Sequence, residues 1–192
     1  MLHCRDDVLF LTNQLVNIES IVNSDGEKEI SQAIYMLLSS FPYFIENPKH
    51  IIKQQTIADE QERYNILAFV KGTKKKSDKT VILMGHMDTV GIDDYNHLKD
   101  KACQPAELME ALKQEKLPAA VEDHLNSGDY LFGRGVLDMK SGVASHLYLL
   151  KYYSEHPEEL EGNLLVVIEC DEEDGSHGIL SALKELKHLK EE

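Results

Sequence analysis

No apolar run in this 192-residue chain approaches the roughly 18–20 residues that a helix needs to cross a bilayer. Its opening stretch, MLHCRDDVLFLTNQL, has two aspartates where a secretory signal carries basic residues, and its apolar part is short and interrupted. Cysteine is scarce. Cys4, Cys103 and Cys170 are odd in number, far apart and without a C-x-x-C spacing, which fits reduced thiols in a cytoplasmic protein rather than a disulfide framework. Basic residues are also short, 20 Lys+Arg against 34 Asp+Glu, for a formal net charge of −14. A general nucleic-acid binder needs basic surface to displace counterions from phosphates, and docking on anionic lipid needs the same. Neither partner is expected.

What is present is ordinary globular composition, 42% hydrophobic, in a length that suits one large domain or a small pair. Apolar spacing predicts helices over Asp6–Ile18 and Glu27–Ser39, with the turn Asn23–Gly26 between them and Phe41-Pro42 ending the second. Strands follow at Tyr64–Val70 and Thr80–Gly85. The loop joining them, Lys71–Lys79, holds five lysines and reads as a solvated connection rather than an anion site. Gly91–Gly128 is a long insertion with helical patterns around Ala106–Lys113 and Pro118–Asn126. A short strand is predicted at Asp129–Gly133, a helix at Ser141–Tyr153 and a last helix at Ile179–Leu189. Asn163–Glu169 (NLLVVIE) is nearly continuous in β-branched residues and leucine, the mark of a strand covered on both faces. Strands alternating with helices make an α/β layered domain, in which ligands bind where strands hand over to loops.

Three clusters stand at such junctions. In Gly85-His86-Met87-Asp88-Thr89, alternation puts His86 and Asp88 on one side and turns Met87 to the core. A carboxylate behind a histidine is a common way to orient a metal ligand, although a strand-end histidine with a capping aspartate would look the same. The second cluster is Gly133-Arg134-Gly135-Val136-Leu137-Asp138-Met139-Lys140-Ser141-Gly142. A P-loop would need glycine where Arg134 and Met139 stand, and the dinucleotide fingerprint would need it at Asp138. An aspartate there suits a cation instead. In the third cluster, Asp171-Glu172-Glu173-Asp174, four consecutive carboxylates repel one another unless a cation or solvent compensates. An acidic flank for the following helix would explain one or two of them. Histidine with carboxylates suits zinc, or manganese and cobalt less decisively. One ion could be held by His86 and two carboxylates, whereas a pair about 3.5–4 Å apart would need a bridging carboxylate and further ligands.

In this order, Gly-His-Met-Asp-Thr-Val, Gly-Arg-Gly-Val-Leu-Asp-Met-Lys-Ser-Gly and Asp-Glu-Glu-Asp-Gly-Ser resemble the signature of the co-catalytic zinc metallopeptidases. That family includes the aminoacylases, succinyl-diaminopimelate desuccinylase and the glutamate carboxypeptidases. The likeness spans essentially the whole chain, and the long insertion, together with the phrases GEKEI, SSFPYF and SEHPEELEGNLL elsewhere in the chain, looks most like the arginine-utilisation branch.

The resemblance implies a three-layer α/β, zinc-exopeptidase-like catalytic domain with a central mixed, largely parallel sheet. His86 would bind one metal, Asp138 would bridge two, and Glu173 would bind the second. Asp88 would orient His86, and Glu172 would be the general base that moves a proton from water to the leaving amine. A non-proline cis peptide is implied at Asp138–Met139. Two zinc ions, with cobalt or manganese as substitutes, would hydrolyse an amide in a small peptide or acylated amino acid through a metal-bound hydroxide. A homodimer is implied for the full-length protein.

The family pattern also has two later ligands, an acidic residue and a histidine, together with an inserted lid or dimerisation domain. No aspartate follows Asp174, and neither His177 nor His188 matches the later histidine. His188 reads as a helix-surface residue, and His124, His146 and His156 as surface or core. The expectation is therefore that residues 1–192 are the amino-terminal portion of a catalytic domain, incomplete at the C-terminus and inactive alone. The rival is a non-catalytic truncated product with at most a weak metal site.

Overall fold

The computed structural model describes residues 4–191. Strands β1 (Ile51–Gln55), β2 (Tyr64–Lys71), β3 (Thr80–His86) and β4 (Asn163–Glu169) form one sheet in the order β1-β2-β4-β3. The sheet is mixed, as expected, but it is not largely parallel: β2 runs antiparallel to both β1 and β4, and only β3 and β4 run parallel. The α-helices are α1 (Cys4–Val16), α2 (Gly26–Ser39), α3 (Pro42–Glu46), α4 (Pro105–Leu112), α5 (Ala119–Ser127), α6 (Ser141–Glu155) and α7 (His177–Glu191).

Alternation along β4 explains the layering. Leu164, Val166 and Ile168 point to one face, where they join Ile30, Ile34 and Leu38 of α2 and Val143, Ala144, Leu147 and Leu150 of α6 in the main core. The helical residues recur at i, i+3 and i+4 spacing, so each helix buries one stripe. Leu165 and Val167 point to the opposite face, where Leu67 of β2 and Ala182 of α7 form a smaller cluster. With helices on both faces, the expected α/β three-layer arrangement is the one observed. A strand walled in on both sides has no reason to alternate polar and apolar residues.

Most helix and strand positions match the spacing of apolar residues to within a turn. The expected strand at Asp129–Gly133 is absent. Those residues are irregular backbone, the Tyr130 ring stacks on His124 with centroids 4.0 Å apart, and Arg134 N–H bonds to the Ala102 carbonyl. The segment is thus held by the insertion instead of by a sheet neighbour. Two elements lacked a readable signal: β1, whose IIKQQ is polar after two residues, and five-residue α3, which Pro42 opens from its first turn. The lysine loop is exposed, and Lys74 and Lys75 pair with Glu161 at 3.3 and 3.0 Å.

The first turn of α7 sits hard against the end of β4. A Cβ added to Gly178 would lie 2.1 Å from the Cys170 carbonyl oxygen, and backbone cannot yield as a side chain can. Gly178→Ala should cost about 1–3 kcal/mol in urea unfolding. Gly91→Ala, where an added Cβ meets nothing within 4 Å, should leave the unfolding midpoint unchanged.

Candidate metal centre

The parallel β3–β4 pair ends with His86 opposite Glu169, and Met87 N–H continues the ladder to the Glu169 carbonyl at 2.9 Å. On the other side, Thr89 N–H bonds to the Ser20 carbonyl and Val22 N–H to the Thr89 carbonyl. Held between these neighbours, residues 87–89 keep the strand alternation past the end of β3. Met87 is fully buried in the core, and Asp88 is fully buried behind His86. The His86 Nδ1 lies 3.1 Å from the Asp88 carbonyl oxygen and 3.5 Å from its carboxylate. Its Nε2 is 3.0 Å from Asp138 Oδ1 and 3.9 Å from Glu172 Oε2. Burial opposes charge on this ring, but the Asp88 and Asp138 carboxylates outweigh it and raise the pKa to about 9.

Asp138 arrives from the loop that opens α6, not from a strand end as expected. Its side chain is 76% exposed, and the Asp138–Met139 peptide is cis. Lys140, two residues on, is completely buried and donates its Nζ to the Ile18 carbonyl at 2.7 Å. It faces the interior, so the loop does not offer it to a phosphate. Burial brings its pKa down to about 8. Arg134 forms an ion pair with Asp94 and lies over the Tyr95 ring at 5.1 Å, tying the insertion to this loop.

The four consecutive carboxylates separate into different environments. Asp171 is fully buried, pairs with Arg63 at 2.6 Å, and accepts the His177 N–H. Glu172 is half-exposed. Glu173 N–H donates to Asp88 Oδ2 at 3.0 Å, and burial raises the pKa of its carboxyl. Asp174 accepts from the Asn23 amide at 2.9 Å.

His86, Asp138 and Glu173 each offer a ligand atom, and these atoms all lie within 4.8 Å of one another. They meet beside a cavity of about 230 Å³ lined by Val90, Gly133–Gly135, Leu137, Asp138 and Glu173. One imidazole and two carboxylates form a donor set that fits zinc, cobalt or manganese. A second group, His156 with Glu158 and Glu159, lies on a surface turn before β4. His177 pairs with Asp171 at 2.6 Å, and His188 is exposed on α7.

Three buried charged residues escaped the sequence reading: Arg63, Glu27 and Glu169. Glu169 had a visible signal, an acid closing an otherwise apolar, two-sided strand. Arg63 and Glu27 had none: their short-range partners Asp59 and Asn23 are ordinary turn neighbours, and the contacts that bury them, to each other and to Asp171, are distant in the chain.

The model of peptidase family M20/M25/M40 matches residues 82–192. Protein RocB of Bacillus subtilis (strain 168) is 41% identical over 182 residues, 95% of this chain and 32% of that protein. The uncharacterized protein YqjN of the same organism is 38% identical over 188 residues, 97% of this chain and 33% of its own. The chain thus spans about a third of the length of these curated relatives. Human carnosine dipeptidase 1 superposes with a TM-score of 0.59 at 16% identity, covering 94% of this chain and 35% of that one.

Glu169 makes the electrostatics of this site measurable. Burial, with Asp88 and Glu172 adding to it, raises its pKa to about 7, and its Oε2 is buried without a partner. A raised carboxyl pKa contributes stability that is full below the ordinary carboxylate range and is lost as pH rises through about 7. Glu169→Gln copies the protonated form. In the chelator-treated chain, wild-type stability should therefore fall relative to the variant by on the order of 1–3 kcal/mol between pH 5 and 8. Urea unfolding at several pH values reads this, and a pH-independent difference would refute it.

Proposed function

The chain belongs to peptidase family M20/M25/M40, and from that premise we propose that it is the amino-terminal portion of the catalytic domain of a metal-dependent amidohydrolase or peptidase. Its reaction is hydrolysis of an amide bond in a small peptide or acylated amino acid. The observation that carries this reading is the convergence of His86, Asp138 and Glu173 within 4.8 Å beside a cavity. A metal set also explains why an exposed aspartate, a half-buried glutamate and a histidine stand together in a chain of net charge −14.

In this reading His86, Asp138 and Glu173 would hold the divalent metal, with Asp138 the ligand that two ions would share, and zinc would be the first choice over cobalt or manganese. A bound divalent ion polarises a carbonyl and lowers the pKa of water, which is the chemistry an amide hydrolase needs. The protein groups do the rest. Asp88 fixes the His86 ring through Nδ1 so that Nε2 faces the centre. The Glu172 carboxylate, half-exposed and 3.9 Å from His86 Nε2, takes a proton from the attacking water and returns it to the leaving nitrogen. Arg134 and the insertion brace the Asp138 loop. Free Cys4, Cys103 and Cys170 support a reading of the protein as cytoplasmic. No helix among the described residues is long and apolar enough to span a membrane. The lid or dimerisation domain, the homodimer and the remaining ligands belong to the longer protein in this proposal. The likeness to Protein RocB supports kinship with the arginine-utilisation branch and does not assign arginine as substrate.

A second reading has one observation in its favour. Among the described residues the centre gathers three donor residues, fewer than a two-ion site requires. By itself, the chain is then a non-catalytic piece that holds at most one ion weakly.

Metal analysis of the purified 192-residue chain tests both readings. Fewer than two zinc ions per chain are expected, lost in the His86→Ala/Asp138→Ala variant. No bound ion in the wild type, or binding unchanged in that variant, would overturn the metal assignment. Hydrolysis of N-acyl amino acids by the zinc- or cobalt-loaded chain that vanishes in Glu172→Gln would overturn the non-catalytic reading.

A further inference from the structure

The turn that presents Glu172 and Glu173 follows β4 without a strand or helix of its own, so something else must hold it. Arg63, the residue before β2, is 3% exposed and faces three buried carboxylates. Its Nε and Nη2 grip Asp59 at 2.8 and 3.0 Å. Asp59 is itself fixed by the Thr56 hydroxyl at 2.6 Å and the Gln61 N–H at 3.0 Å. That fork leaves Nη1 aimed at Asp171 Oδ1, 2.6 Å away, with Glu27 Oε2 at 3.3 Å. Glu27 Oε1 in turn accepts the Asp171 N–H at 3.1 Å.

Asp171 is therefore held at both its side chain and its main chain. From that fixed point it accepts the Gly175 N–H at 3.2 Å and the His177 N–H at 2.9 Å, closing the turn around Glu172 and Glu173. The turn's inner side is tied by Glu173 N–H to Asp88. We propose that Arg63 is a positioning residue for the metal centre, which through Asp171 fixes the turn that carries Glu172 and Glu173 to His86 and Asp138. Its geometry stands apart from the proposed function, but its consequence for metal rests on that reading. Lysine cannot take its place. A point charge cannot satisfy Asp59 with two parallel bonds and Asp171 with a third.

Removing the charge outright leaves buried carboxylates unpaired and can unfold the chain. Arg63→Lys is therefore the working variant, and Asp171→Asn the second if it does not fold. Amide exchange in the metal-free protein should accelerate about tenfold at Glu173, Gly175 and His177, and not across β1, β2 and β4. Zinc competition with a chromophoric chelator should show affinity lower by about tenfold. Adding Glu173→Gln to the variant should then change affinity far less than it does in the wild type. His86→Ala should abolish binding in either background. Exchange unchanged at those amides, or raised uniformly over the sheet, overturns the proposal. If wild type binds no zinc while the three amides still accelerate, the metal reading falls and the positioning stands. Zinc binding that keeps its full Glu173 dependence in a folded variant removes the positioning and leaves the metal reading.

Discussion

The parallel pairing of β3 with β4 governs where everything else in this molecule can lie. Parallel neighbours finish at the same edge of a sheet, so the register that sets His86 opposite Glu169 also delivers the residues after each strand to one place. On the β3 side these are Asp88 and Thr89, and on the β4 side the turn from Asp171 to Gly175. An antiparallel pairing would have put these segments at opposite ends of the sheet. β4 must be apolar on both faces to sit in this position, and that requirement leaves its last residues as the first place where polar chemistry can begin.

A protein of net charge −14 must then manage acids inside as well as out. Near the sheet end, Glu27, Asp88, Glu169 and Asp171 are all buried. Besides His86, the buried basic residues among the described residues are Arg63 and Lys140, and they do different work. Arg63 divides its donors among carboxylates. Lys140 spends its ammonium on the carbonyl of Ile18 and helps to hold the loop that begins α6. What these cations do not neutralise shows up as raised pKa values: about 7 for Glu27 and Glu169, where burial is the leading cause. The neighbouring His86 compensates from the other direction, drawn up to about 9 by Asp88 and Asp138.

The local rules made most of this visible in advance, and their failures have physical causes. β4 and the stripes of α2 and α6 could be located because burial demands apolar residues at a fixed period. His86, Asp88 and Asp138 could be singled out because each stands in a short motif beside glycine or at a strand end, whereas Glu173 was separated from its four-acid run only by the resemblance to the metallopeptidase signature. Asp129–Gly133 misled because Tyr130, Leu131 and Phe132 have strand-like composition, yet the Tyr130 ring stacks on His124 and the N–H of Arg134, just after the segment, bonds to the Ala102 carbonyl. Arg63 was invisible for another reason. Its partners Glu27 and Asp171 are 36 and 108 residues away, and nothing in the local sequence marks an arginine as internal. Fold was legible from periodicity, but the electrostatic frame of the site was not, because that frame consists of contacts between distant segments.

Burial divides the acids around the centre into two working groups. Asp88 and Asp171 are fully enclosed, and each accepts backbone N–H groups: Asp88 from Glu173, Asp171 from Gly175 and His177. Asp171, with both oxygens engaged, defines the path of the chain and has little left for a ligand. Asp88 bonds through Oδ2 alone, and its buried Oδ1 has no hydrogen-bond partner and lies 3.5 Å from His86 Nδ1. Asp138 and Glu172 lie at the opposite extreme, 76% and 49% exposed, with most of their acceptor capacity facing the open side. Glu173 joins the groups, since its N–H is bound inward while its carboxylate turns toward His86 and Asp138. The four-acid run after β4 is therefore neither a uniform helix flank nor a uniform cation trap. Its first member is structural, its next two face the centre, and its last is bound to the Asn23 amide. The same four letters carry separate duties because successive side chains leave a tight turn in different directions.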